Sequence, residues 1–119
     1  MTFIKSIKYY NDYKHYRKGD FIFREGDPGD VMYAVVEGEV EIIVSGSLIN
    51  IVRPGEVLGE MALIDKKPRS ATAVAFSDCK LVVIDEQRFN FLIQQTPLFV
   101  TQIMKVMSDR LRTMDKESV

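Results

Sequence analysis

Between residues 12 and 84 the chain is cut into short apolar runs by turn residues, and no run there is long enough for a helix crossing between parallel strands. Gly19-Asp20 precedes FIF, and EGDPGD (residues 25–30) precedes VMYAVV. Gly38, Gly46 and Gly55 then punctuate EVEIIV and LINIV. Valine, isoleucine and aromatic residues favour strand pairing, and glycine serves the reversals. In ATAVAF, Thr72, Val74 and Phe76 alternate with Ala71, Ala73 and Ala75, giving one large face and one small. Strands this short and this apolar need a second layer to bury them, which points to a sandwich or barrel-like β-roll rather than an open sheet.

The hydrophobic period changes after Ile84. Asp85 is placed to cap a helix from Glu86 on which Phe89, Leu92 and Ile93 share a face. Thr96-Pro97 reads as the opening of a second helix, with an apolar stripe of Val100, Ile103, Met104, Met107, Leu111 and Met114. The expected fold is mainly β, a jelly-roll-like β-roll over about 12–84 followed by two helices, about 86–95 and 97–114. Phe3, Ile4 and Ile7 suggest a further short packed helix at the start. The 119 residues are expected to form a single domain.

Composition narrows the function. Sixteen Lys plus Arg against seventeen Asp plus Glu leave a formal charge of −1, with no overall pull toward nucleic acid or acidic membranes. No apolar stretch reaches membrane-span length, and MTFIKSIKYY lacks a leader pattern, so a soluble, cytoplasmic protein is expected. Cys79, the single cysteine, lies in CKLVVI and reads as a small buried hydrophobe on a strand. The single histidine, His15, reads as a surface or strand-edge residue and cannot build the imidazole-rich metal site of a cupin-like enzyme. Ser70 has no His and Asp set to activate it, and Glu37, Glu39 and Glu41 read as the solvated face of a strand. No catalytic residue, metal ligand or cofactor is assigned.

The stretch GEMALIDKKPRSAT (59–72) carries the chemistry. Gly59 permits close backbone approach, and Glu60 through Ile64 suit a single helical turn whose leading N–H groups are anion donors. Pro68 disfavours helix at Lys67 and stiffens the exit. Arg69 supplies a planar fork for a phosphate and Ser70 a hydroxyl, while Lys66 and Lys67 read as solvated loop. Glu60 would repel a bare phosphate. As a pure acceptor it suits a ligand with hydroxyls, a ribose 2′-OH above all, so the stretch asks for a compact sugar-phosphate. The triphosphate cradle GxxxxGK[ST] is absent from the sequence.

These residues resemble the phosphate-binding cassette of the cyclic nucleotide-binding domain family, found in bacterial catabolite-activator-type regulators, kinase regulatory subunits and cyclic-nucleotide-gated channels. RKGDFIFREGDPGDVMYAVVEGEVEI (17–42) and RPGEVLGEMAL (53–63) extend the likeness, which covers roughly residues 12–113. The resemblance implies that Glu60 accepts the ribose 2′-OH and that Arg69 clamps the cyclic phosphate. Ser70 adds a hydroxyl contact, and the amides of Met61, Ala62 and Leu63 act as donors, with Gly59 and Ala71 completing the site. It also implies that Arg69 couples ligand arrival to movement of the last helix, where Arg110 and Met114 are the lid candidates. Serine at position 70 leans toward cAMP over cGMP. No helix-turn-helix follows Met114, so direct DNA binding is not expected. A non-catalytic sensor, free-standing or acting on an unseen effector or domain, is the leading reading, with a homodimer through the last helix as an open question. A ligand-free roll serving as an interaction platform is the alternative.

Overall fold

The computed structural model describes residues 13–118, with side chains as far as Asp109. The expected N-terminal helix around Phe3, Ile4 and Ile7 lies outside the described residues. Eight strands make two four-stranded antiparallel sheets. One has the order β1 (Tyr13–Tyr16), β8 (Cys79–Ile84), β3 (Met32–Glu37), β6 (Val57–Leu58). The other has the order β2 (Phe21–Phe23), β7 (Thr72–Ala75), β4 (Val40–Val44), β5 (Ser47–Val52). A single-turn helix, α1 (Met61–Ile64), interrupts the strands, and α2 (Glu86–Gln95) and α3 (Pro97–Ser118) follow them. The mainly β roll with terminal helices is as expected, although α3 continues past residue 114 to Ser118.

Burial explains the two kinds of apolar pattern. The sheet containing β3 and β8 is covered on both faces, so its strands are almost continuously apolar. Tyr33, Val35, Cys79 and Leu81 face the other sheet, while Met32, Ala34, Val82 and Ile84 face Leu92, Phe99 and Ile103 of the helices. The second sheet covers only its inner face, and there β7 turns its small side inward. Ala73 and Ala75 are buried, while Phe76 is 46% exposed. Both alanines belong to the inter-sheet cluster that also holds Tyr16, Tyr33, Val35 and Leu81.

Several local expectations need correcting. Glu37, Glu39 and Glu41 do not share a strand: Glu37 closes β3, Glu39 lies in the turn and Glu41 belongs to β4. Their setting is solvated nonetheless, with Glu37 3.6 Å from Lys80 and Glu39 3.4 Å from Arg53. On α2 the buried residue is Leu92, whereas Ile93 is 40% exposed. The inward face of α3 runs through Phe99, Ile103 and Val106, and Met104 points to solvent. Of the expected stripe, Ile103 is buried and Met107 packs against the core, as expected, while Val100 is half-buried. The stripe left out Phe99, which lies edge-on to Phe89 at 5.5 Å between centroids. The side chains of Leu111 and Met114 lie outside the described residues.

The boundaries follow from capping. Asp85 accepts a hydrogen bond from the Arg88 amide (2.8 Å) at the front of α2. The Thr96 amide closes α2 on the Leu92 carbonyl, and the Thr96 carbonyl accepts from the Phe99 amide as α3 opens. His15 lies exposed on the edge strand β1, and Cys79 is buried on β8, as expected. The Cys79 thiol donates to the carbonyls of Ser77 (3.1 Å) and Glu39 (3.3 Å), and burial pushes its pKa above the ordinary value.

Candidate functional site

Gly59 follows β6 with φ of +78°, a conformation open to glycine at no steric cost. A Cβ here would also stand 2.8 Å from Arg69 Nη1, so two constraints fall on one residue. The chain enters the right-handed region at Glu60 and makes the single turn α1. Ala62 and Leu63 bury their side chains and fasten the turn to the roll. Hydrogen bonds close it: the Ala62 amide donates to the Gly59 carbonyl (3.3 Å), and the amides of Leu63 and Ile64 to the Glu60 carbonyl (3.1 Å each). Of the three expected amide donors, Ala62 and Leu63 are therefore engaged within the turn. The Met61 amide lies ahead of these bonds, at the front of the helix.

Among the described residues Glu60 and Arg69 are the buried charged ones, at 1% and 7% exposed, and Glu60 lies near enough to act on the guanidinium electrostatically. Arg69 Nη1 donates to the Gly59 carbonyl (3.1 Å), next to Glu60 in the chain. Its Nε is buried and has no hydrogen-bond partner among the described residues. Burial pulls the guanidinium pKa below its ordinary value, opposed by Tyr33, Asp30, Asp27 and Glu60. A buried cation with an unused N–H is a demanding arrangement, and an anionic oxygen is the group that relieves it. Ala71 is buried beside Arg69, whereas Ser70 is exposed at the mouth of the cassette. Lys66 and Lys67 are exposed, as expected of a solvated loop, though Lys66 Nζ reaches Glu86 on α2 (2.9 Å). Arg110 and Met114 lie beyond the residues whose side chains are described.

Sequence reasoning treated EGDPGD as a turn, and the structure gives it a second job. The Arg69 amide donates to the Asp27 carbonyl and the Gly26 amide to the Arg69 carbonyl, each at 2.8 Å. The Glu25 amide donates to Thr72 Oγ1 (3.0 Å), and Glu25 Oε1 accepts from the Ser45 amide (3.1 Å). Gly29 leaves the space that the Arg69 side chain fills: a Cβ there would stand 2.6 Å from Cζ. Phe23 and Tyr33 flank the guanidinium, with their ring centroids 4.3 and 5.9 Å from Cζ. The occurrence of EGDPGD and PRSAT in one chain was the only sequence signal for this, and nothing in the sequence pointed to Phe23.

An open groove of about 400 Å³ lies elsewhere, lined among others by His15, Asp20, Glu37 and Cys79. Among the described residues, no three His, Cys, Asp or Glu side chains are grouped to hold a metal. No helix among them is long and apolar enough to cross a membrane.

The chain belongs to the cyclic nucleotide-binding domain family, whose sequence profile matches residues 13–96. It is 35% identical over 107 residues to the cyclic AMP receptor protein of Thermus thermophilus, covering 86% of this chain and 50% of that protein. A cAMP-dependent protein kinase regulatory subunit from Eremothecium gossypii is 40% identical over 76 residues, 64% of this chain and 17% of the subunit. The crystal structure of a Thermus thermophilus catabolite activator protein superposes with a TM-score of 0.77 at 33% identity, covering 89% of this chain and 52% of that one. The chain thus spans about half the length of the two Thermus thermophilus proteins and less of the kinase subunit.

Proposed function

We propose that this chain binds a cyclic nucleotide in the 59–72 cassette, cAMP in preference to cGMP, and acts as a non-catalytic sensor. In this reading Arg69 takes the cyclic phosphate with help from Ser70, the Met61 amide and the backbone about Ala71. Glu60 accepts the ribose 2′-OH, and Gly59, Ala62 and Leu63 form the wall of the site. The single observation that carries it is the burial of both Glu60 and Arg69 within one fourteen-residue stretch, with Arg69 Nε unmatched among the described residues. The preference for cAMP rests on Ser70. Arg110 and Met114 are the proposed cover for the base. Residues 1–119 act as one domain, in the cytoplasm. Phe91, Leu98 and Met104 expose apolar side chains on the two terminal helices, which supports a homodimer or an effector protein on that side.

Isothermal titration with cAMP and with cGMP tests the proposal. The expected result is micromolar or tighter binding of cAMP, weaker binding of cGMP, and loss of roughly a hundredfold or more in Arg69→Ala. Absence of heat with both nucleotides refutes it.

A second reading, a roll that no longer takes ligand and serves as an interaction platform, draws on one observation. The amides of Ala62 and Leu63 and one Arg69 nitrogen already have internal partners. A ligand-dependent rise in melting temperature separates the two, since only a binder is stabilised by mass action.

A further inference from the structure

Phe23 ends β2, and its pairing with β7 is irregular at that point. Phe21 stands opposite Val74 while Phe23 stands opposite Ala73, so two residues advance on β2 for one on β7. Regular alternation would place both phenylalanines on one face of the sheet. The irregularity separates them. Phe21 shares the outer face with Val74 and is 49% exposed, whereas Phe23 joins the inner face of the fully buried Ala73. The re-aimed ring meets Arg69, whose Cζ lies 4.3 Å from its centroid, and Tyr33 stacks beside it at 6.1 Å, its own centroid 5.9 Å from Cζ.

We infer that Phe23 is a positioning residue: its ring holds the desolvated Arg69 guanidinium in place and directs the N–H edge toward an incoming anion. The inference rests on the reading of Arg69 as the phosphate ligand. A cation over an aromatic face uses the face of the guanidinium, whereas hydrogen bonds to an anion use its edge. Ring and phosphate therefore act together and do not compete. The ring's negative face also supplies what a buried cation otherwise lacks, so the fork stays oriented before the ligand arrives and loses little freedom on binding. Nη1 on the Gly59 carbonyl fixes the rotation about the stack and leaves Nε unmatched. Outside the roll, Arg24 covers the ring of Phe21 at 4.1 Å, a contact of the same kind with no link to the cassette.

The test combines the Nε–Hε resonance of Arg69, assigned through Arg69→Lys, with cAMP titration. In the unsubstituted chain the Hε signal is expected upfield, within the ring current, and protected from exchange. Phe23→Leu is expected to abolish that shift and weaken cAMP binding about tenfold, the scale of a desolvated cation–ring contact. Phe23→Tyr keeps both the signal and the affinity. Phe21→Leu, on the outer face, changes neither. Phe23→pentafluorophenylalanine retains the shape and inverts the ring's charge distribution, so it weakens binding like leucine and serves if Phe23→Leu does not fold. An unchanged signal and affinity in Phe23→Leu, or a loss in Phe23→Tyr as deep as in leucine, overturns the inference. Should the unsubstituted chain bind neither nucleotide, the functional reading fails, and the resonance alone still decides whether Phe23 orients Arg69.

Discussion

Replacing Gly29 by alanine adds one methyl group at the point where Arg69 passes. The φ angle at Gly29 lies outside the left-handed region, so the backbone accepts alanine without strain. The whole cost is therefore steric. The new Cβ would stand 2.6 Å from Arg69 Cζ and 2.9 Å from Cδ, and near-contact with Nε is closer still. Arg69 has little room to yield. Its main chain is held from both sides by Asp27 and Gly26, and its Cζ lies 4.3 Å over the ring of Phe23. Displacement by about 1 Å breaks the bond to the Gly59 carbonyl, and overpacking of this kind costs about 1–3 kcal/mol. Alanine returns about 0.4–1 kcal/mol by restricting the unfolded chain, so the net loss of stability is about 0–2.6 kcal/mol. Affinity suffers more, because a displaced fork forfeits at least one charge-assisted hydrogen bond of about 1.5–3 kcal/mol, roughly a 10- to 100-fold rise in Kd. Titration with cAMP and urea denaturation measure the two effects. Gly46→Ala is the control: its φ is +81° and nothing lies within 4 Å, so it loses stability without losing affinity. A Gly29→Ala protein that binds cAMP as tightly as its parent would refute the argument that this glycine exists to admit Arg69.

Three further outcomes are expected. Glu60→Gln keeps the shape of a residue that is 1% exposed but removes the charged acceptor, so cAMP binding weakens about 10-fold or more while 2′-deoxy-cAMP loses little, measured by titration of both ligands. Stability falls at alkaline pH, because burial raises the pKa of Cys79 above 9.0 and those of Tyr16 and Tyr33 above 10.0. The unfolded chain releases these protons first, so the fold keeps its full stability below about pH 9 and loses it as pH rises through the folded-state values; a urea midpoint unchanged from about pH 8 to 11 would contradict this. Phe99→Ala removes a wholly buried ring and costs about 3–5 kcal/mol, whereas Met104→Ala, 65% exposed, stays within about 0.5 kcal/mol, and equal effects in calorimetry would mean that α3 is turned the other way.

The contrast between what was legible and what was not follows the range of the interactions. Turn chemistry, the capping aspartate at 85 and the change of period after Ile84 are local, and each is written within a few residues of where it acts. They were enough for the roll, the two terminal helices and the single turn after Gly59. Phase and facing are not local. Helical spacing through Val100 and Met104 is as regular as spacing through Phe99 and Ile103, and only the sheet beneath decides which side is wet. The same holds for β7, whose alanines face the inter-sheet cluster built from residues of other strands. The site divides along this line. Glu60 and Arg69 share one short stretch, and their chemistry is readable because a carboxylate and an arginine at that spacing ask for a sugar and a phosphate. The group that orients Arg69 is a phenylalanine on a different strand, turned inward by one extra residue in a sheet register. A shift of pairing by one residue reverses the facing of everything beyond it, and the letters FIF read the same either way. Motif matching therefore finds the charges proposed to meet the ligand. What holds those charges at the right angle must be sought in the strands packed behind them.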